Sequence, residues 1–164
     1  MARTKWISAI VDAVRRGTSA VRHSERGTGR TTRRRAPTTR SVDEGVRVEY
    51  SPQLDGDPDP GEVVWTWVPY EEDPTLGKDR PVVIIGRHGD GLSGVALTTR
   101  SGRSPNHVEV GSGPWDSRNR PSYAKVDRLF DIDPATVRRE GAILNRRRFD
   151  AVVEAVDRLH DLAR

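Results

Sequence analysis

Past residue 45 the chain reads as short apolar runs separated by turn chemistry. Val46–Tyr50 alternates and predicts a short strand. Glu62–Val68 (EVVWTWV) sets Val63, Trp65 and Trp67 on one face and Val64, Thr66 and Val68 on the other. A loop over 69–79 leads to a second strand, Val82–Arg87. The turn residues His88-Gly89-Asp90-Gly91 then lead to a third, Leu92–Thr99. His107–Val110 (HVEV) predicts another short strand, 111–121 a loop, and Tyr123–Ile132 a further alternating strand. Pro134 opens a helical turn. Asn145 is placed to cap a final helix whose apolar side carries Phe149, Val152, Val153, Val156, Leu159 and Ala163. Five or more short strands and one closing helix define a mainly β (α+β) class, a small half-open β-barrel with a C-terminal helix packed over it.

The first 45 residues differ. In residues 1–16, Trp6, Ile7, Ile10, Val11 and Val14 recur at helical spacing and predict an amphipathic helix over 4–16. It docks on the domain, binds a partner or frays, since about 13 residues are marginal alone. Residues 17–45 are rich in Gly, Thr, Ser and Arg without apolar periodicity and predict a disordered basic linker. The expected organisation is a helix over 1–16, the linker over 17–45 and one domain over 46–164.

Composition sharpens this division. The 164 residues are 34% hydrophobic and 32% charged, too polar for a core spread over the whole length. The net charge of +4 is an average of two parts. Residues 1–45 hold 11 Lys/Arg against 4 Asp/Glu, and residues 46–164 hold 17 against 20. The domain is therefore slightly acidic and is not a general nucleic-acid-binding base. With no cysteine there is no disulfide, thiolate metal site or thiol nucleophile. No apolar run approaches the roughly 20 residues that span a bilayer, and the start lacks a signal-peptide pattern. The expected location is the cytoplasm, with no membrane partner.

Among candidate sites, Asp55-Gly56-Asp57-Pro58-Asp59-Pro60-Gly61 has the outline of a calcium loop. Pro60 stands where that loop needs glycine and Thr66 where it needs a bidentate glutamate, so an acidic turn is the expectation. Arg80-Pro81 stands directly before the apolar run Val82–Ile85. A guanidinium held against a rigid strand suits a fixed target such as phosphate; it also suits a loop anchor bonded to Glu72, Asp73 or a carbonyl.

Five motifs occur in order. They are Gly61-Glu62-Val63; Gly77-Lys78-Asp79-Arg80-Pro81 with its apolar strand; Ala96-Leu97-Thr98; His107-Val108-Glu109-Val110; and Lys125-Val126-Asp127-Arg128. In order and spacing, over about residues 46–160, they resemble the PemK/MazF family of type II toxin–antitoxin toxins. WTWVPYEEDPTLGKDRPV, GSGPW and RREGAIL resemble an actinobacterial-type branch. The resemblance implies an SH3-like barrel, usually a homodimer, that cuts single-stranded RNA at short sequences without metal or cofactor. It also implies a cognate antitoxin that masks the site, with operator DNA a further partner of the pair. The fold also serves gyrase-poisoning toxins, which leaves open a module that only binds DNA, antitoxin or another protein, including a topoisomerase.

The resemblance makes Arg80 and Thr98 the catalytic residues. Lys125 and Asp127, two apart on the expected late strand, match an auxiliary Arg/Asp pair of some members; a cross-strand salt bridge is the alternative. The loop Glu71-Glu72-Asp73 offers carboxylates, with Glu72 and Asp73 as auxiliary candidates, whereas Pro74 and Thr75 stand where some relatives carry His or Glu. Arg87, Arg100 and Arg103 are candidate RNA contacts. Trp115, in a Gly-rich loop, is a candidate base or partner contact; Trp65 and Trp67 suit base stacking, core or dimer interface. His107 and His88 are read as structural.

Overall fold

The computed structural model describes residues 45–100 and 104–163, and for 139–141 the backbone alone. The expected N-terminal helix, the linker up to residue 44 and Ser101–Arg103 lie outside the described residues. The strands are β1 (Arg47–Val48), β2 (Glu62–Pro69), β3 (Gly77–His88), β4 (Gly91–Thr98), β5 (His107–Gly111), β6 (Ser122–Lys125), β7 (Phe130–Ile132) and β8 (Arg138–Ile143). A single 3-10 turn, Pro134–Thr136, precedes β8, and the helix α1 (Arg146–Asp157) follows it.

β3 organises the sheet. Its first half pairs antiparallel with β2, its second half with β4, and Gly86 and Arg87 also receive β1. The strand order is β5-β6-β4-β3-β2-β8, and β1 and β7 pair off this path, so the sheet curls into the expected half-open barrel. In Val82–Ile85 alternate side chains enter two different cores. Val83 and Ile85 join Val63, Val95 and Leu97 under α1. Val82 and Ile84 join Val64, Val68, Leu92, Ala96, Phe130 and Ile132 on the opposite face. A continuous apolar run is what a strand covered on both faces requires. Between Ile84 and Gly86 the β3–β4 register shifts, leaving Ile85 as the extra residue. Such a bulge bends the strand. A side-chain carbon at Gly86 would lie 2.3 Å from the Arg47 carbonyl oxygen, so β1 can approach β3 closely only at glycine.

Several boundaries differ from expectation. β3 begins at Gly77, five residues before the apolar run, because the polar Gly77-Lys78-Asp79 pairs with Pro69, Val68 and Trp67 of β2. Arg80 is therefore inside a strand, opposite Thr66, and the connecting loop shrinks to 70–76. The expected strand over Tyr123–Ile132 is two strands. β6 pairs with Leu97 and Thr98 of β4, and β7 with Leu92–Gly94 of the same strand. In one flat strand Val126 and Leu129 would face opposite sides. The break lets both enter the core beneath α1. β8 escaped the sequence reading because Arg138-Arg139-Glu140-Gly141 has no apolar alternation; it pairs on one side only, with β2, as a charged edge strand does.

α1 starts as expected: the Asn145 side-chain oxygen accepts the Arg147 N–H at 3.0 Å. Phe149, Val152, Ala155 and Val156 are buried, but the helix ends at Asp157 and Leu159 stays exposed. Beyond it Leu162 returns to the core, and the Ala163 N–H donates to the Val46 carbonyl at 3.1 Å. Tyr50 clasps the helix. Its ring centroid lies 4.9 Å from that of Phe149, and its hydroxyl donates to the Leu144 carbonyl at 2.9 Å. Phe149→Ala removes the aromatic plug between α1 and the sheet. It should cost about 3–5 kcal/mol, read as a lower urea midpoint at unchanged slope. That is a large share of the roughly 5–15 kcal/mol that holds such a domain folded.

Candidate active site

Where the polar start of β3 leaves the second core, a cavity of about 250 Å³ opens. Val68, Pro69, Ala96 and Phe130 form its apolar floor, and Tyr70 stands at its rim. Arg80, Arg100, Lys125 and Arg128 bring four positive charges to it, and Glu71 and Glu72 bring two negative ones. A domain that is slightly acidic overall thus presents a locally positive cavity, the electrostatic match for a phosphate-bearing ligand.

Strand alternation delivers Arg80. It lies two residues before Val82 and four before Ile84, so its side chain leaves β3 on the face of the second core. Asp79 leaves on the other face and pairs with Arg138. Neighbouring Asp79 therefore does not neutralise Arg80. Arg80 is half-buried, and among the described residues its side chain makes no hydrogen bond or ion pair. The alternative reading of Arg80, a loop anchor tied to Glu72, Asp73 or a carbonyl, would require such a bond.

Thr98 ends β4, two residues beyond the cavity-lining Ala96 and on the same strand face. Its Oγ1 accepts the Arg100 N–H at 3.2 Å, shaping the turn that carries Arg100 to the cavity. Thr98 itself is half-buried beside the cavity and is not part of its wall. Thr99 is exposed and outside the strand.

Lys125 closes β6 and lines the cavity, opposite His107 of β5. Asp127 does not join it. β6 stops at Lys125 and the chain turns through Val126 and Asp127, so the two are not on one strand face and Asp127 points to solvent outside the cavity. Glu72 lines the cavity, whereas Asp73 serves its own loop. Its Oδ1 accepts the Thr75 hydroxyl at 2.6 Å and the Thr75 N–H at 2.9 Å. Those two bonds, the hydroxyl's first, hold the Asp73 carboxyl below the usual carboxylate range.

Of the remaining candidates, Arg100 is in the cavity and Arg103 lies outside the described residues. Arg87 sits at the far end of β3, bonded to Asp59 at 2.8 Å and Glu49 at 3.4 Å. Trp115 corrects a reading from sequence. It is only 5% exposed, packs in the core beneath α1, and donates its indole N–H to Ser122 Oγ at 3.1 Å. A ring so enclosed offers no face to a base. The loop around it is pinned by Asp116, which accepts bonds from the Arg120 side chain and N–H. These bonds pull the Asp116 carboxyl down to about 2. Trp65 and Trp67 are half-buried on β2, and the Trp67 ring packs against Gly77, where a side-chain carbon would lie 2.6 Å from it.

The sequence reading missed Arg128, Tyr70 and Phe130 as cavity residues. The Arg128 guanidinium lies 5.0 Å from the Phe130 ring centroid, and its Nη1 donates to the Pro69 carbonyl at 3.5 Å. An arginine laid on an aromatic face keeps its charge free while its orientation is set. The available signal was an arginine two residues before a phenylalanine at a strand break, visible only once the late strand is divided.

Residues 59–160 match the model of the PemK-like, MazF-like toxin of type II toxin-antitoxin system. The chain belongs to this family. Curated proteins yield no match. Among solved structures, the chain is similar to the Mycobacterium tuberculosis toxin MazF-mt6 at 21% identity and TM-score 0.44, covering 62% of this chain and 99% of that one. It is also similar to the MazE-MazF structure from Deinococcus radiodurans at 16% identity and TM-score 0.49, covering 66% and 100%. An endoribonuclease from Mycobacterial species aligns at 18% identity and TM-score 0.45, covering 66% and 95%. These likenesses are of fold alone, and the family assignment rests on the sequence match.

Arg128→Ala should weaken binding of a single-stranded oligonucleotide and flatten the plot of log affinity against log salt by about 0.7, the loss of one phosphate contact. Fluorescence anisotropy across a salt series measures both, and the fold should be unaffected.

Proposed function

We propose that this domain is the toxin of a type II toxin–antitoxin pair and acts as a metal-independent endoribonuclease on single-stranded RNA. The observation that carries the reading is Arg80: half-buried, without a protein partner among the described residues, and aimed into a cavity shared with three further cations. Family membership supports the toxin part of the reading.

The chemistry follows from the residues. The ribose 2′-oxygen attacks the adjacent phosphorus, forming the O2′–P bond and breaking the bond to the 5′-oxygen. The products are a 2′,3′-cyclic phosphate and a 5′-hydroxyl. Arg80 forks onto the non-bridging oxygens and neutralises the phosphorane as charge develops. Glu72, Glu71 and Lys125 line the cavity; in this reading Glu72 accepts the 2′-hydroxyl proton and Lys125 gives a proton to the leaving 5′-oxygen. Thr98 supports the phosphate edge of the site through its hydroxyl and the turn it holds for Arg100. Arg100 and Arg128 bind neighbouring phosphates or a stacked base. The toxin acts as a homodimer in the cytoplasm, and a cognate antitoxin covers the cavity, with operator DNA bound by the pair. Among the described residues no helix is long and apolar enough to cross a membrane.

A second reading is a module that binds antitoxin, DNA or a topoisomerase without cutting RNA. The placement of Asp127 outside the cavity favours it. Incubation of the full chain with a long mixed-sequence RNA in EDTA separates the two. Cuts at a short motif with cyclic-phosphate ends are expected, falling about 10²–10³-fold in Arg80→Ala, as loss of one preorganised charge donor does. Intact RNA with pure folded protein, or growth inhibition unchanged by Arg80→Ala, would sink the ribonuclease reading.

A further inference from the structure

A second cavity, of about 300 Å³, lies at the opposite end of β2 from the proposed active site. Its walls divide by chemistry. Leu54, Val64 and Val137 are apolar, whereas Gln53, Asp57 and Glu62 are polar or acidic. Such a volume is at the lower end of those that enclose small groups, roughly 300–1,000 Å³.

Glu62 is the unusual member. It is only 2% exposed, and its Oε1 has no hydrogen-bond partner. Its other oxygen accepts a long bond, 3.5 Å, from the Asp59 N–H, and the Gln53 backbone N–H also acts on the carboxyl. Burial first, then the nearby charges of Asp59 and Asp55, push the carboxyl above its ordinary range. The charges facing it are nearly all negative. Asp55 is spent on the Asp57 N–H at 3.1 Å, and Asp59 is neutralised by Arg87 at 2.8 Å. Among the described residues no lysine or arginine lines the cavity. Glu62 Oε1, a buried acceptor without a donor beneath exposed carboxylates, is matched chemically by a cationic donor.

The chemistry of that cation is constrained. Among the described residues no three Asp, Glu or His converge as a metal site requires. The apolar walls, including the 67% exposed Leu54, instead suit a charged head on a hydrocarbon stem. Guanidinium is more weakly hydrated than ammonium and matches a carboxylate with two parallel donors. We propose that this cavity receives an arginine side chain of a protein partner, its guanidinium held by Glu62 and Asp57 and its stem by Leu54, Val64 and Val137. The site is separate from the cationic cavity and does not depend on the ribonuclease reading.

Two variants keep the test independent of folding. Asp57 is exposed and its carboxylate makes no bond within the chain among the described residues, so Asp57→Asn should leave stability and RNA cleavage unchanged. Glu62→Gln should raise the melting temperature at pH 8. A carboxyl whose pKa is higher in the folded state stabilises the fold below its unfolded pKa and loses that contribution as pH rises through the folded one, so the gain from the amide vanishes near pH 4.

The experiment is a titration of the full chain with Nα-acetyl-argininamide, followed by two-dimensional NMR, with the uncharged Nα-acetyl-citrullinamide as control. Saturable shifts confined to Gln53–Glu62 and Val137 are expected for the arginine probe alone, with affinity falling about tenfold in each variant, as loss of a charged hydrogen-bond partner does. No saturation, equal shifts from the neutral probe, or affinity unchanged in both variants would overturn the proposal.

Discussion

The structure depends on one constraint: the second half of β3 must be buried on both faces. Val83 and Ile85 require the helix and the strands beneath it, whereas Val82 and Ile84 require Phe130, Ile132 and the outer halves of β2 and β4. A single strand cannot exclude water from two sides, so the sheet must curl, and the chain must break between Lys125 and Phe130 to serve both ends of β4. The Ile85 bulge and the bare backbone at Gly86 are what this curl requires locally.

The same constraint makes the proposed active site. β3 is longer than its buried half, and hydrogen bonding to β2 continues the strand through residues with no apolar drive of their own. Arg80 therefore inherits the direction of a core residue without being covered as one. Its backbone is fixed by the ladder to Thr66, and its side chain emerges where the apolar floor ends. Guanidinium needs little further ordering in such a position, which lowers the entropic cost of gripping a phosphate. Arg128 reaches the same cavity by another route, from the turn that the barrel's curvature imposes, and is steadied by Phe130.

What the sequence made legible follows this division. Elements driven by apolar patterning were readable: β2, β4, β5, the apolar part of β3, the Asn145 cap and the burial of Phe149 and Val152. Elements driven by pairing were not. Gly77–Asp79 and the charged β8 are strands because a neighbour offers backbone groups, and no side-chain period announces that. The site divided in the same way. Arg80, Glu72, Arg100 and Lys125 converge, each on or beside a strand whose direction alternation defines. Arg128 lines the cavity and Asp127 does not, because a turn replaced the expected straight strand, and Trp115 went inward because a loop pinned by Asp116 folds it beneath α1.

The two cavities also explain why net charge misleads for this domain. Glu62 and Val64 begin β2 at the acidic cavity, and Val68 and Pro69 end it at the basic one, roughly 20 Å apart at strand rise. Glu62, Val64, Thr66 and Val68 lie on one face of β2, with the apolar cluster of Val82, Ile84 and Leu92 between the ends. Charge has been sorted along that face and not averaged over it. At physiological salt the screening length is about 8 Å, so the field of each end barely reaches the other. A slightly acidic domain can thus hold a polyanion at one end while the other repels it, which orients the ligand on approach. The acidic end carries an expected cost: with its carboxyl pushed above the ordinary range by burial, Glu62 should make the fold less stable at neutral pH than an amide would. A charge kept at a site that it destabilises is better explained by what it binds than by what it holds together.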